Sequence, residues 1–187
     1  MDAISHTRLG TVIPELQRRA VRLDGLLLAS SLAVHLRITR AIATYAEQAA
    51  YYAQGRTTPG VPCVHNGITM VIGTCKVHPF GLVVTNAQPM DSMHVYGLAV
   101  DACPDLPGLP TWQPDWNNQD QRWQLFLQQA TICGLAEGAQ WRTFKDFPHL
   151  YPVELPADPD DNLKELLTDG GIQAVWDWIN QNFSFTT

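Results

Sequence analysis

The chain has 187 residues, and its 18 acidic against 12 basic side chains give a formal charge of −6. That balance argues against a nucleic-acid binder, because phosphates are held by a basic face. Hydrophobic residues make up 45% of the chain, enough for one domain with its own core, and no apolar run approaches the roughly 20 residues needed to cross a bilayer.

Met1–Gly10 is polar and lacks the charged-then-apolar order of a signal peptide. Synthesis and folding in the cytoplasm are therefore expected. Residues 13–31 carry apolar side chains at helical spacing, with Pro14 suited to a first turn. Val34 to Thr39 alternates as a short strand. Thr44-Tyr45-Ala46-Glu47 is a capping box opening a helix to Gln54, which Gly55 stops. Residues 58–81 break pattern with repeated Gly and Pro, and Ile68 to Ile72 is their one strand-like run. Leu82 to Thr85 and Leu98 to Ala102 read as strands, and a Pro/Trp-rich loop spans 104–118. A helix over 119–133 ends at Gly134, a strand covers 151–155, and two short helices, 161–167 and 172–180, are split by Gly170-Gly171. Helices and strands mix without strict βαβ alternation, so the expected class is α+β: a small antiparallel sheet with flanking helices.

The densest polar cluster is Ser92-Met93-His94-Val95-Tyr96-Gly97-Leu98-Ala99-Val100-Asp101. Seven residues along a helix would separate His94 from Asp101 by about 10.5 Å, and one continuous strand would put them on opposite faces. They converge only if the chain turns between them, which Gly97 permits. Asp101 inside an apolar strand calls for a cationic partner. In the second cluster, Trp141 to His149, Pro148 forbids helix and sends His149 into the next strand, with Asp146 three residues back. Two His and one carboxylate leave a tetrahedral position open, as in catalytic zinc sites, and a nearby carboxylate that is not a ligand can act as a base.

Ser92-x-His94-x-x-Gly97-x-Ala99-x-Asp101, followed by Trp141 and Asp146-x-Pro148-His149, resembles the zinc peptidase family of D-alanyl-D-alanine carboxypeptidases and L-alanyl-D-glutamate endopeptidases, in particular its phage endolysin branch. Glu47-Gln48, Tyr52 to Thr57 with Pro59-Gly60, and Val84-Thr85-Asn86-Ala87 add to the likeness, which covers roughly residues 10–155. The resemblance implies a hedgehog/D-Ala-D-Ala-peptidase-like fold, Zn2+ held by His94, Asp101 and His149, and Asp146 as catalytic base. It implies hydrolysis of bacterial peptidoglycan peptides, first between L-Ala and D-Glu and alternatively at D-Ala-D-Ala. A non-catalytic zinc-containing cell-wall-binding module is the rival from another class. The expected organisation is a single peptidase domain over 1–187, with an inserted loop at 61–80 and a C-terminal helical extension at 156–187. It is expected to act as a monomer, on the cell wall, after release or export.

Two departures from the family stand out. Its usual Arg before the capping-box residue is Ala43 here, with Arg40, Arg56 and Arg142 as substitutes. The insert also holds Cys63-x-His65 and Cys75-x-x-His78, which suit a closed structural zinc, a Cys63–Cys75 disulfide or plain thiols and imidazoles. Ser92 is either a rim hydrogen-bonding group or a turn residue, and Glu137 is a rival base. Tyr51, Tyr52, Trp112, Trp116 and Trp123 are expected to pack, Asp158 to Asp161 to open a helix in solvent, and Cys103 and Cys133 to be buried.

Overall fold

In the computed structural model, which describes residues 1–65, 68–105, 120–142 and 145–185, the seven residues that part His94 from Asp101 divide between a turn and a strand. Met93–Tyr96 forms one 3-10 turn, Gly97 closes it in the left-handed region (φ 63°), and the chain leaves as a strand, β4 (Val100–Asp105). No side chain other than hydrogen fits at Gly97: a Cβ there would lie 2.9 Å from the Trp176 ring. The other strands are β1 (His35–Arg40), a short hairpin β2 (Val64–His65) and β3 (Ile68–Thr69), β5 (Leu135–Glu137) and β6 (His149–Pro152). The main sheet has the order β1-β4-β6-β5, with every pair antiparallel. Its helices are α1 (Ala3–Leu9), α2 (Pro14–Ala29), α3 (Tyr45–Ala53), α4 (Gln121–Ile132) and α5 (Asp161–Asn182). The α+β class is borne out.

One face of the sheet supplies the core. Ile38, Val100, Ala102 and Leu150 join Leu16, Leu23 and Leu27 of α2 and Trp123 and Phe126 of α4, all essentially free of solvent. The helices begin as their sequences dictate. Thr44 and Glu47 complete the capping box, Asp120 caps α4 and Asp160 caps α5. α5 is two helical stretches joined across Gly171 (φ 70°), the split expected from the paired glycines. Val175 and Ile179 are buried in the common core, and the Trp176 indole donates to the Tyr96 carbonyl at 2.8 Å. The C-terminal helix thus braces the turn that carries His94.

Several expectations need correction. Leu82 to Thr85 is not a strand: only Leu82 pairs, in a single bridge to Val61, and Leu82 and Val83 remain exposed. An apolar run that short carries no periodicity to distinguish a strand from a groove wall. The strand-like run 68–72 shrinks to two residues, and the 151–155 strand begins at His149 and ends at Pro152. Besides the two-residue β2, two elements were missed. Polar Ala3–Leu9 forms α1 because Asp2 caps it and Leu9 and Ser5 are buried against the fold. Leu135–Glu137 forms β5 because β6 supplies its hydrogen-bonding partner. Trp112, Trp116 and nearly all of the 104–118 loop lie outside the described residues.

Arg19 of α2 is buried at 3% exposure, its guanidinium forked onto the Glu154 carboxylate at 2.8 Å for both bonds and bonded at 2.5 Å to Glu15. A fourth bond reaches the Gly134 carbonyl. This ties α2 to the chain on both sides of β5 and β6. Arg19→Ala takes this fork away from the Glu154 carboxylate, which is 16% exposed, while Glu15 keeps its pair with Arg18. The expected cost is about 3–5 kcal/mol, the usual result of removing one partner from a buried pair. Urea unfolding monitored by tryptophan fluorescence measures it, and an unchanged midpoint would contradict the assignment.

Candidate metal centre

β4 and β6 lie side by side with Asp101 directly opposite His149. Residues opposite each other in an antiparallel pair project to the same face, so the register itself joins the two ligand-type side chains. The turn closed by Gly97 folds His94 over the same point. His94 Nε2 stands 3.1 Å from Asp101 Oδ1, and His149 Nδ1 stands 3.3 Å from that same oxygen. One ligand atom from each of the three residues falls within 4.8 Å of the others.

The donor chemistry fits a metal ion. His94 Nδ1 lies 2.8 Å from the Ala41 carbonyl, which can only accept, so Nδ1 carries the proton. In the neutral ring Nε2 is then a bare lone pair aimed at a carboxylate oxygen, and a cation reconciles the two. Asp101 is suited to that environment. Burial pushes its carboxyl up, but the imidazoles of His94 and His149 override this and hold it far below the usual carboxylate range. His149 Nε2 and the indole N–H of Trp141 are buried without partners among the described residues, with ring centroids 4.9 Å apart. His149 therefore has its solvent-shielded nitrogen turned away from Asp101 and its other nitrogen turned toward it.

Asp146 lines one groove with His94, His149 and Trp141 but is not one of the three clustered ligands. Its carbonyl accepts from His149 N–H at 3.2 Å, closing the turn through Phe147 and Pro148, and its N–H donates to the Gly138 carbonyl at 3.1 Å. Gly138 is required by close approach: a Cβ there would fall 2.5 Å from the Asp146 carbonyl oxygen and 3.0 Å from His149 Cβ. Burial raises the Asp146 carboxyl above the ordinary range. The Asp101 charge adds to this, and His149, His94 and Arg40 offset part of it.

The rival base, Glu137, is excluded from this site. It pairs with Leu150 rather than His149, which places it on the opposite face of the sheet. There it is buried and accepts from Thr131 Oγ1 at 2.9 Å, where burial raises its carboxyl. It is not the exposed residue that its position after Gly134 suggests.

The three arginines separate cleanly. Arg56 is committed to the Tyr52 and Thr85 carbonyls at 2.7 and 2.9 Å and stacks on Tyr52. Arg142 is exposed and does not line the groove. Arg40 does line it. A bulge between Ile38 and Arg40 shifts the register of β1, so that Arg40 rather than Thr39 stands opposite Asp101. Without the extra residue the period of 2 would turn Arg40 toward the core. Its guanidinium bonds to Gln48 Oε1 and lies 4.5 Å over the Tyr51 ring. Ala43, where the resemblance leads one to expect an arginine, is buried with its N–H on the His94 carbonyl at 3.1 Å.

The groove encloses about 540 Å³. Thr85, Asn86 and Ala87 form one wall, and Ala157, Asp158 and Pro159 form another with Lys164, which pairs with Asp91 at 2.8 Å. Ser92 is buried on its lining. Asp158, expected only as part of a solvated helix start, lines the groove as well. No sequence signal marked this wall, because its residues come from a segment more than fifty positions beyond Asp101.

Residues 85–151 match the family model described as D-alanyl-D-alanine carboxypeptidase, bearing out the resemblance carried by the two motifs, both of which fall inside that span. The chain is 29% identical over 126 residues to the peptidoglycan L-alanyl-D-glutamate endopeptidase CwlK of Bacillus subtilis, covering 65% of this chain and 63% of that protein. It thus spans a little under two thirds of the curated relative's length. Among solved structures, the Serratia marcescens L-Ala D-Glu endopeptidase ChiX aligns over 81% of this chain and 88% of its own, with 21% identity and a TM-score of 0.45.

Proposed function

We propose that this chain is a zinc-dependent peptidase that hydrolyses peptidoglycan stem peptides, cleaving between L-Ala and D-Glu, and that it acts on the cell wall after release or export. The observation that carries the reading is one groove lined by His94 and His149, whose donor set Asp101 completes, together with a separate carboxylate, Asp146. The match of residues 85–151 to a peptidase family model and the likeness to an endopeptidase support it. Two imidazoles and one carboxylate suit zinc and leave a position open. Zinc bound there would polarise the scissile carbonyl and acidify a water molecule.

The chain's own residues do the rest. Asp146 accepts the proton of the attacking water and returns it to the leaving amine as the peptide C–N bond breaks. Its raised affinity for protons makes it a better acceptor of that water proton than an ordinary aspartate. Arg40 faces the negative charge that develops on the carbonyl oxygen. Thr85 to Ala87 on one side and Asp158 to Lys164 on the other confine the peptide.

Digestion of purified peptidoglycan, with mass spectrometry of the new termini, tests the reading. New C-terminal L-Ala and N-terminal D-Glu support it. Release of free D-Ala alone would assign the carboxypeptidase specificity instead, and no new termini would leave a binding module. For Arg40→Ala the expected result is a fall in kcat of about 10²-fold with a smaller change in KM, the pattern of a lost oxyanion donor. Arg56→Ala, whose guanidinium is spent on backbone carbonyls, serves as the comparison in the same steady-state assay.

A further inference from the structure

The segment 61–80 has no core of its own. Among its described residues only Cys63 and Cys75 are buried, while Val61, Val64, Ile68, Val71 and Val77 are each more than half exposed. Its neck is closed tightly. Val61 and Leu82 exchange both backbone hydrogen bonds, at 3.3 and 2.6 Å, and Gly60 N–H donates to the Phe80 carbonyl at 2.7 Å. Beyond the neck lie the two-residue β2–β3 ladder, the Met70 N–H on the Cys63 carbonyl, a Val71–Thr74 turn, and the thiols. Cys63 and Cys75 are in side-chain hydrogen-bond contact, and Cys75 Sγ accepts the His78 N–H at 3.4 Å. All four cysteines are thiols in the structure.

We propose that Cys63 and Cys75 are a disulfide site, closing this hairpin covalently once the protein meets an oxidising environment. A short segment that cannot bury apolar surface gains from a staple, and these two thiols are its buried described side chains and hydrogen-bond to each other. A closed zinc site is the weaker fit. His78 is exposed, and the one grouping of three or more metal-type donors among the described residues is His94, Asp101 and His149. The oxidant is a small-molecule or protein disulfide. One cysteine thiolate attacks it and displaces a thiol. The other cysteine thiolate then attacks the mixed disulfide and displaces the second. Two protein thiols lose two protons and two electrons, and the oxidant's S–S bond is reduced to two thiols. Because Thr85 to Ala87 follow the neck directly and line the groove, the bond stiffens the approach to that wall. That such an environment is met rests on the proposed site of action outside the cytoplasm; the chemistry of the pair does not.

Incubation of the purified protein with mixtures of oxidised and reduced glutathione, followed by acid quench, alkylation under denaturing conditions and peptide mapping, tests this without any substrate. The expected product is one linked peptide joining Cys63 to Cys75, with Cys103 and Cys133 alkylated. The oxidised protein should also resist thermolysin cleavage between residues 64 and 74 several-fold better than the reduced protein. Cys75→Ser should abolish the link and the protection together. Full alkylation of Cys63 and Cys75 in oxidised glutathione, equal proteolysis of both forms, or a second bound zinc that shields both thiols and is lost in Cys75→Ser, each overturns the proposal. Peptidoglycan digestion is read separately, so failure there leaves this result interpretable.

Discussion

His149→Ala is expected to abolish metal binding and peptidase activity together. The imidazole is one of three donors that converge on a single point, and its Nδ1 faces the same Asp101 oxygen as His94 Nε2. Removing it leaves two donors, too few to fix a catalytic ion with one open position. The substitution also deletes the ring that packs against Trp141 and Tyr151, so thermal unfolding should accompany the assay to separate site loss from fold loss. Metal content by mass spectrometry and turnover on peptidoglycan are the paired measurements. Folded His149→Ala protein with normal turnover would sink the ligand assignment. In the parent protein, metal affinity should fall as pH is lowered, because protons compete for the imidazole lone pairs.

Asp146→Asn is expected to lower turnover by roughly 10²–10⁴, the span usual for a lost general base, with metal content little changed. The amide preserves the shape and the backbone bonds to Gly138 and His149, but it cannot take up a proton. Its location supports the distinction: Asp146 lines the groove yet stands outside the converging donor set. Metal loss in proportion to activity loss would make Asp146 a ligand. Asp146→Glu keeps the charge but lengthens the side chain in a turn where Gly138 already approaches within contact distance. Partial activity is expected there, below the parent and above the asparagine variant. Glu137→Gln is the control, since that carboxylate faces α4 across the sheet and should leave turnover within a few-fold of the parent.

Much of the site was legible from local chemistry. Gly97 between His94 and Asp101 announced a turn, because only a reversal could bring residues seven apart to one point. Pro148 announced that His149 would enter a strand. Both statements concern backbone torsions, which neighbouring residues control. Helix starts were legible for the same reason: Thr44 and Glu47 satisfy each other's orphan groups within one turn, and Pro14 suits a first turn.

What failed in the reading depended on partners distant in the chain. β5 is three residues long, and its strand character comes from pairing with β6. Leu82 to Thr85 has the composition of a strand but finds only one bridge, and becomes groove wall instead. Glu137 looked exposed because Gly134 ends a helix just before it; the register with Leu150 buries it and removes it from the site.

By itself the sequence determined the donor types and the turns at Gly97 and Pro148, which are written in short segments, and its resemblance to a zinc peptidase family pointed to His94, Asp101 and His149; the β4–β6 register is what sets Asp101 opposite His149. The tertiary structure decided which arginine attends them. Arg40, Arg56 and Arg142 carry the same charge on the same side chain, and nothing local ranks them. A one-residue bulge in β1 turns Arg40 toward Asp101, while backbone carbonyls claim Arg56. Strand register has a period of 2, so a single extra residue moves a side chain from core to site, and that shift exists only once β1 and β4 are paired.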